Sequence, residues 1–295
     1  MSGELEGLLV ILSLNTIYAY GVFLAATSGQ LNLGAAGFVT LGAYASAYFT
    51  NGFDGFGFSL ALGIPIAVII VGILAFLVSF PILRTRGVYM VLATYALAEV
   101  VAGVIINTEA VGGAAGMPVD IFVPYYFVVA SAVLVSLICF YLMSTRFGLA
   151  MRSIHDDENV AILFGVNARM VRVWAFTLGA IILAFGGALY GHHYSYIETQ
   201  SFNVLLSIYI LLYVLLGGTQ TAWGPIVGAL FFTFVPELFR FLGGVTGQRW
   251  IEEGRFVAFG LLIVLVMVFR PEGVITRTMV EKVFSRKSRE QEAAE

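Results

Sequence analysis

The strongest constraint on this chain is a set of apolar runs without charge that are long enough to cross a bilayer. Leu8 to Thr27, Phe58 to Leu83 and Phe122 to Met143 contain no Asp, Glu, Lys or Arg. An α-helix rises about 1.5 Å per residue, so roughly 20 such residues span about 30 Å of hydrocarbon. Backbone N–H and C=O groups find no water there, which leaves helices and closed barrels as spanning structures. These runs lack the alternation of apolar and polar residues that barrel strands need. The expected fold class is therefore all-α, a polytopic membrane helix bundle. Composition agrees: 11% of residues are charged, against about 25% in soluble domains.

Spans are predicted near 8–27, 31–50, 58–83, 88–107, 122–143, 173–190, 203–219, 225–242 and 255–269. That gives about nine crossings or partly broken helices, with eight or ten also open. Gly217-Gly218 interrupts the seventh span, and the ninth is short. Residues 1–273 read as one transmembrane domain with a cytoplasmic loop at 144–172, and 274–295 as a charged tail. The segment before the first span carries Glu4 and Glu6 and no basic residue. It does not resemble the positive n-region of a cleavable signal, so the first span is expected to be retained.

Loops that stay in the cytoplasm keep Lys and Arg. Arg84, Arg86, Arg146, Arg152, Arg169, Arg172, Arg270, Arg277, Lys282, Arg286, Lys287 and Arg289 fall on one side of this topology, twelve of the fifteen basic residues. Asp54, Glu109, Asp120, Glu198, Glu252 and Glu253 fall on the other, with Arg249, Arg240 and Arg255 against the trend. The expected orientation is N-terminus outside and C-terminus in the cytoplasm.

The connection from Ser144 to Arg172 is too long for a tight turn. Asp156 is the expected N-cap of a short helix, Asp157 and Glu158 suit its first turn, and Gly165 suits a left-handed C-cap. Val160, Leu163 and Phe164 then fall at i, i+3 and i+4 as an apolar stripe. The stripe fits either a partner or packing against this chain's own membrane helices and the lipid surface.

Several chemistries lack their residues. A Walker A loop needs Lys after its glycines, and the first Lys is Lys282. His192 and His193 are adjacent, so they do not share a helix face for a metal, and both are expected at the membrane interface. Cys139 is the single cysteine, so no internal disulfide or cysteine cluster can form. No cofactor or metal is expected on this chain, and no nucleic-acid partner.

Polar residues inside apolar spans mark candidate passage groups. Glu99 lies midway along the fourth span and is a candidate for the inner bundle, either as a path residue or as a structural hydrogen-bonding group. Gln30, Asn32 and Asn107 can line a passage or cap helix ends. Glu237 and Arg240 are spaced to pair. The glycines at 34, 37 and 42, at 112, 113 and 116, and at 217 and 218 allow close packing or a broken backbone. The stretches 31–42 and 217–228 could be matching broken helices of two halves.

The ordered motifs resemble one family. They are Ser28-Gly29-Gln30-Leu31-Asn32-Leu33-Gly34, Leu83-Arg84-Thr85-Arg86-Gly87-Val88-Tyr89, Ala96-Leu97-Ala98-Glu99-Val100, Arg146-Phe147-Gly148-Leu149-Ala150-Met151-Arg152-Ser153-Ile154, Gly186-Gly187-Ala188-Leu189-Tyr190, Leu216-Gly217-Gly218, Trp223-Gly224-Pro225, Pro236-Glu237-Leu238 and Phe269-Arg270-Pro271-Glu272-Gly273. In this order they resemble the M-type membrane subunits of branched-chain amino-acid ABC importers. That resemblance implies a second related permease, two cytosolic ATPase subunits holding ATP and Mg, and an extracytoplasmic solute-binding protein. Glu158, Ala161 and Gly165 would occupy the family's acidic-alanine-glycine loop. The ATPase-coupling set would be Arg146, Gly148, Arg152, Asp156, Glu158, Val160, Ala161, Leu163, Phe164 and Gly165. The passage set would be Gln30, Asn32, Gly34, Glu99, Asn107, Gly217 and Gly218. Urea and amide importers use similar subunits and stay open as the cargo alternative, with a stand-alone secondary transporter or facilitator as the alternative of another class.

Overall fold

The computed structural model describes residues 2–52 and 55–246, and beyond them 257, 260, 261, 263, 264, 268, 269, 273 and 274. Most of the predicted ninth span and all of the tail except Val274 lie outside the described residues. The chain divides into two compact units, Met1–Leu211 and Leu212–Glu295.

In the first unit the helices are α1 (Ser2–Thr27), α2 (Ala35–Thr50), α3 (Leu60–Ile82), α4 (Val88–Ile106), α5 (Tyr125–Ser144), α6 (Arg146–Asp156), α7 (Glu158–Leu163) and α8 (Ala168–Tyr194). Helix α9 (Val204–Gly217) begins in this unit and ends in the second, which also holds α10 (Gly224–Thr246). Two short strands, β1 (Met117–Pro118) and β2 (Tyr196–Ile197), pair antiparallel. Six helices are long and apolar enough to cross a membrane among the described residues: α1, α3, α4, α5, α8 and α10 over 224–242. The chain is an all-α polytopic bundle, as its apolar runs require.

Two predicted spans fold differently from a full crossing. Helix α2 has 16 residues and α9 has 14, about 24 and 21 Å at the helical rise. Helix α2 starts late because 28–34 is not helical. The Leu33 N–H donates to Thr94 Oγ1 at 3.0 Å, and Thr94 lies six residues into α4, about 9 Å from its start. Irregular backbone at that depth must be satisfied inside the protein. The Gly34 N–H donates to Asn32 Oδ1 at 2.7 Å and the Ala36 N–H to Ser207 Oγ at 2.8 Å.

The centre of this unit is a seam of small residues. Helix α8 packs on α1, α2 and α3. Between lipid-embedded helices, close van der Waals packing has to replace the hydrophobic effect, which favours small residues at the contact. A Cβ on Gly42 would sit 2.0 Å from the Ala184 carbonyl oxygen, and one on Gly187 would sit 2.0 Å from that of Val39. Neither position accepts a side chain unless the backbones move apart. Phe38 and Phe176 meet edge to face beside the seam. In the most apolar stretches of α1 and α8, 72% and 67% of residues are buried, against 28% to 33% in α3, α4 and α5. The latter three therefore present broad apolar faces outward.

The two ends of the first unit differ. All six arginines of this unit, Arg84, Arg86, Arg146, Arg152, Arg169 and Arg172, lie at the end carrying α6 and α7. The opposite end is tied by hydrogen bonds between connections: Asn51 Nδ2 donates to the Pro118 carbonyl at 2.7 Å, and the Asp120 N–H donates to Asn51 Oδ1 at 3.1 Å. His192 and His193 place Nδ1 2.9 Å from the Ile121 and Val123 carbonyls. His192 is fully buried at this end, its ring held by the connection into α5. The glycines at 112, 113 and 116 shape two 3-10 turns leading into β1 and do not pack membrane helices. Tyr48, Phe49, Phe56 and Phe58 form a ring cluster at this end, the amphipathic level where membrane proteins concentrate aromatics.

In the second unit, α9 and α10 approach through glycines. A Cβ on Gly228 would lie 1.8 Å from the Tyr213 carbonyl oxygen, and one on Gly217 would lie 1.9 Å from that of Gly224. Arg240 and Glu237 form the expected i, i+3 ion pair at 2.5 Å.

Candidate functional site

The loop between α5 and α8 folds as two helices whose order follows from local chemistry. Gly148 lets α6 turn back against the end of α5, since a Cβ there would lie 2.6 Å from the Met143 carbonyl oxygen. Arg152 closes the same corner, donating from Nη2 to that carbonyl at 2.8 Å. Met151 and Ile154 are buried on the inner face of α6. Asp156 is the last residue of α6, and Asp157 is the N-cap of α7. The Asp157 Oδ1 accepts from the Asn159 N–H at 2.8 Å and the Val160 N–H at 3.1 Å. The expected cap at Asp156 is thus corrected by one residue, because the backbone first turns extended at 157 (φ −155, ψ 108).

Helix α7 stops as expected at Gly165, whose φ of +85 belongs to the left-handed region. The Val166 N–H donates to the Ala161 carbonyl at 3.1 Å and the Gly165 N–H to the Ile162 carbonyl at 2.9 Å, a Schellman-type closure. Asn167 then caps α8, its Oδ1 accepting from the Met170 N–H at 3.1 Å.

This geometry separates the residues of the stripe. Ala161 is buried with Ile154 and Ala168 and anchors α7 to α6 and α8. Leu163 and Phe164 are each 85% exposed and Val160 is 46% exposed. Among the described residues the stripe does not pack back on this chain. Exposed large apolar side chains held in a fixed, capped turn have the character of an interaction surface.

Glu158 orients the turn. It receives a two-pronged ion pair from Arg172 at the start of α8, Nη1–Oε1 2.8 Å and Nη2–Oε2 3.1 Å. Arg86, in the α3–α4 connection, approaches the same carboxylate at 3.5 Å. Fork-to-fork geometry makes the Arg172 contact the stronger, while the exposed Arg86 contact is screened. Helix α7 is thereby joined to two separate membrane elements. Sequence reasoning had no signal for this triad beyond the presence of the charges, because its partners lie in three different segments. Arg146 begins α6 at the same end.

The predicted passage residues are not brought into one group. Gln30 and Asn32 are buried and engaged structurally: Gln30 Nε2 donates to Ser28 Oγ at 2.8 Å and to the Arg172 carbonyl at 3.1 Å, and Asn32 holds Gly34. Gly34 lies against Thr94. Asn107 caps the far end of α4, donating to the Gly103 carbonyl at 2.8 Å. Gly217 and Gly218 belong to the α9–α10 turn of the second unit. Glu99 does not face the inner bundle of this chain. Helix α4 packs with Met90, Thr94, Ala98, Val101 and Ile105 inward, and Glu99, about 100° further round than Ala98, is exposed. Among the described residues no group of His, Cys, Asp and Glu is placed to hold a metal ion.

The family described as "Branched-chain amino acid transport system / permease component" matches residues 5–268. The high-affinity branched-chain amino acid transport system permease protein LivM of Escherichia coli K12 is 28% identical over 85% of this chain and 65% of its own length. The permease protein BraD of the corresponding Pseudomonas aeruginosa system is 34% identical over 53% of this chain and 48% of its own. LivH of Escherichia coli K12 is 30% identical over 47% and 42%. The match thus spans just under two thirds of the LivM protein. No solved structure matches.

Proposed function

This chain belongs to the branched-chain amino acid transport permease family, and from that premise we propose that it is a membrane-spanning subunit of an ATP-driven importer for leucine, isoleucine and valine in the cell inner membrane. The carrying observation is α7, a capped two-residue apolar tip of Leu163 and Phe164 held outward at the arginine-rich end. The tip docks in a groove of a cytosolic ATPase subunit, which supplies ATP and Mg, while this chain has no nucleotide site of its own. The excess of arginine supports a cytoplasmic position for that end and an N-terminus outside.

Residues 1–273 act as the permease domain and 274–295 as its cytoplasmic tail. A second, related permease completes the passage, two ATPase subunits drive it, and an extracytoplasmic binding protein delivers the solute. A carboxylate exposed to lipid at mid-depth costs several kcal/mol by order of magnitude, so the Glu99 face of α4 is assigned to the second permease. ATP binding draws the ATPase subunits together, and α7 transmits the movement through Glu158 to α8 and the α3–α4 connection.

The test is ATP hydrolysis by the reconstituted complex in lipid, with the binding protein loaded in turn with leucine, isoleucine, valine or urea. Stimulation by the aliphatic amino acids is expected. Stimulation by urea alone would keep the machine and change its cargo, and nucleotide-independent flux through this chain alone would make it a facilitator.

A further inference from the structure

A cleft opens at the α6–α7 end of the first unit, enclosing about 440 Å³ of space, part of it open to solvent. Gly29 and Gln30 border it from the α1–α2 connection, Leu83 and Arg86 from the α3–α4 connection, Met90 from α4 and Arg172 from α8. None of the assignments above gives this space a ligand.

Its charge is unbalanced. Both prongs of Arg172 are taken by Glu158. Arg86 meets the same carboxylate through Nη2 at 3.5 Å, and its side chain is 80% exposed. Two guanidinium groups thus face one carboxylate, and Arg86 keeps most of its donors for an incoming anion. The walls add two further preferences. Leu83 and Met90 offer apolar surface, and methionine adapts to branched shapes. Gln30 carries a buried amide oxygen with no hydrogen-bond partner among the described residues, an acceptor whose desolvation is uncompensated until a donor reaches it.

We propose that this cleft is a binding subsite for an aliphatic α-amino acid, with the carboxylate on Arg86, the hydrocarbon side chain against Leu83 and Met90, and the ammonium group supplying the donor for Gln30. The proposal rests on the reading of the chain as a branched-chain amino-acid permease and deepens it. A bound carboxylate competes with Glu158 for Arg86, and Glu158 is carried by α7. Occupancy from this side therefore weakens one of the two ion pairs that hold the ATPase-docking turn, so the amount of solute already delivered is sensed where coupling begins.

The experiment measures binding of tritiated leucine to the full chain in nanodiscs of phosphatidylcholine. Wild-type chain is expected to bind, with Arg86→Gln weakening it about tenfold or more and Arg86→Lys less, since lysine keeps the charge and loses the fork. Glu158→Gln is expected to tighten binding several-fold by removing the competing carboxylate. Valine should displace the label and isobutylamine, which lacks a carboxylate, should not. Binding indifferent to Arg86→Gln, displacement by isobutylamine as good as by valine, or no binding at all would overturn the subsite. Loss of leucine binding in phosphatidylglycerol nanodiscs would overturn it too, by giving the cleft to an anionic lipid headgroup. Leucine uptake by the wild-type complex is measured in parallel. Uptake without Arg86-dependent binding rejects the cleft and leaves the permease reading, whereas absent uptake rejects that reading.

Discussion

The α2–α8 seam and the α7 turn use apolar and small residues in opposite ways. In the seam, Gly42 and Gly187 let two helices touch backbone to backbone, and the surrounding side chains are buried by the chain itself. In the turn, one small residue, Ala161, is buried, and the large ones, Leu163 and Phe164, are left exposed. The contrast teaches that residue type alone does not mark a core. A lipid-embedded seam has no hydrophobic force to gain from large side chains and uses fit. Large apolar groups left exposed on a fixed turn have the character of an interaction surface.

Five variants would break or sharpen that contrast. Gly42→Leu should have the largest effect, destabilising the chain by about 3 kcal/mol or more through backbone clash at Ala184, seen as a collapse of the monodisperse peak on heating in detergent. A variant that melts like wild type would mean the seam is looser than its geometry. The pair Leu163→Asp with Phe164→Asp should weaken ATPase binding about 30-fold or more, while chain stability stays within about 0.5 kcal/mol. The reverse pattern, lost stability with intact binding, would make the turn part of this chain's own core.

Gly165→Arg forces an L-residue into the left-handed region at a cost of about 1 to 2 kcal/mol, and should leave ATP hydrolysis running without uptake. Normal uptake would remove the turn from the mechanism. The smallest effect is expected for Asp157→Ala, about 1 kcal/mol from the lost cap, read as faster hydrogen exchange at the Asn159 and Val160 amides. Asp156→Ala should not change those two amides, and if it does, the cap has been placed on the wrong aspartate.

Much of the α7 turn could be read from the sequence. Its stop at Gly165 and its stripe of Val160, Leu163 and Phe164 are local properties, set by backbone chirality and a spacing of three and four. Asp156 and Asp157 have the same chemistry, and which one caps α7 depends on how far α6 runs, which is through Asp156. Glu99 shows a different limit. Its position along α4 follows from the sequence, but the side of α4 it occupies depends on which stripe α2 takes, and α2 takes the one containing Thr94 and Ala98. The passage candidates Gln30 and Asn32 are buried, and their partners are the Ser28 hydroxyl and backbone groups of α8 and of their own turn.

By itself the sequence determined the class of fold, the placement of six long apolar helices and the existence of a capped turn beside the arginines, because hydrophobic run length, charge placement and capping act over a few neighbouring residues. Only the tertiary structure decided that the segment before α2 rests on the Thr94 hydroxyl of α4, that Ala161 goes in while Leu163 goes out, and that Glu158 joins Arg172 and Arg86. These depend on groups far apart in the chain, and the energy that selects among them, close van der Waals fit and the pairing of buried polar atoms, does not exist until the helices meet.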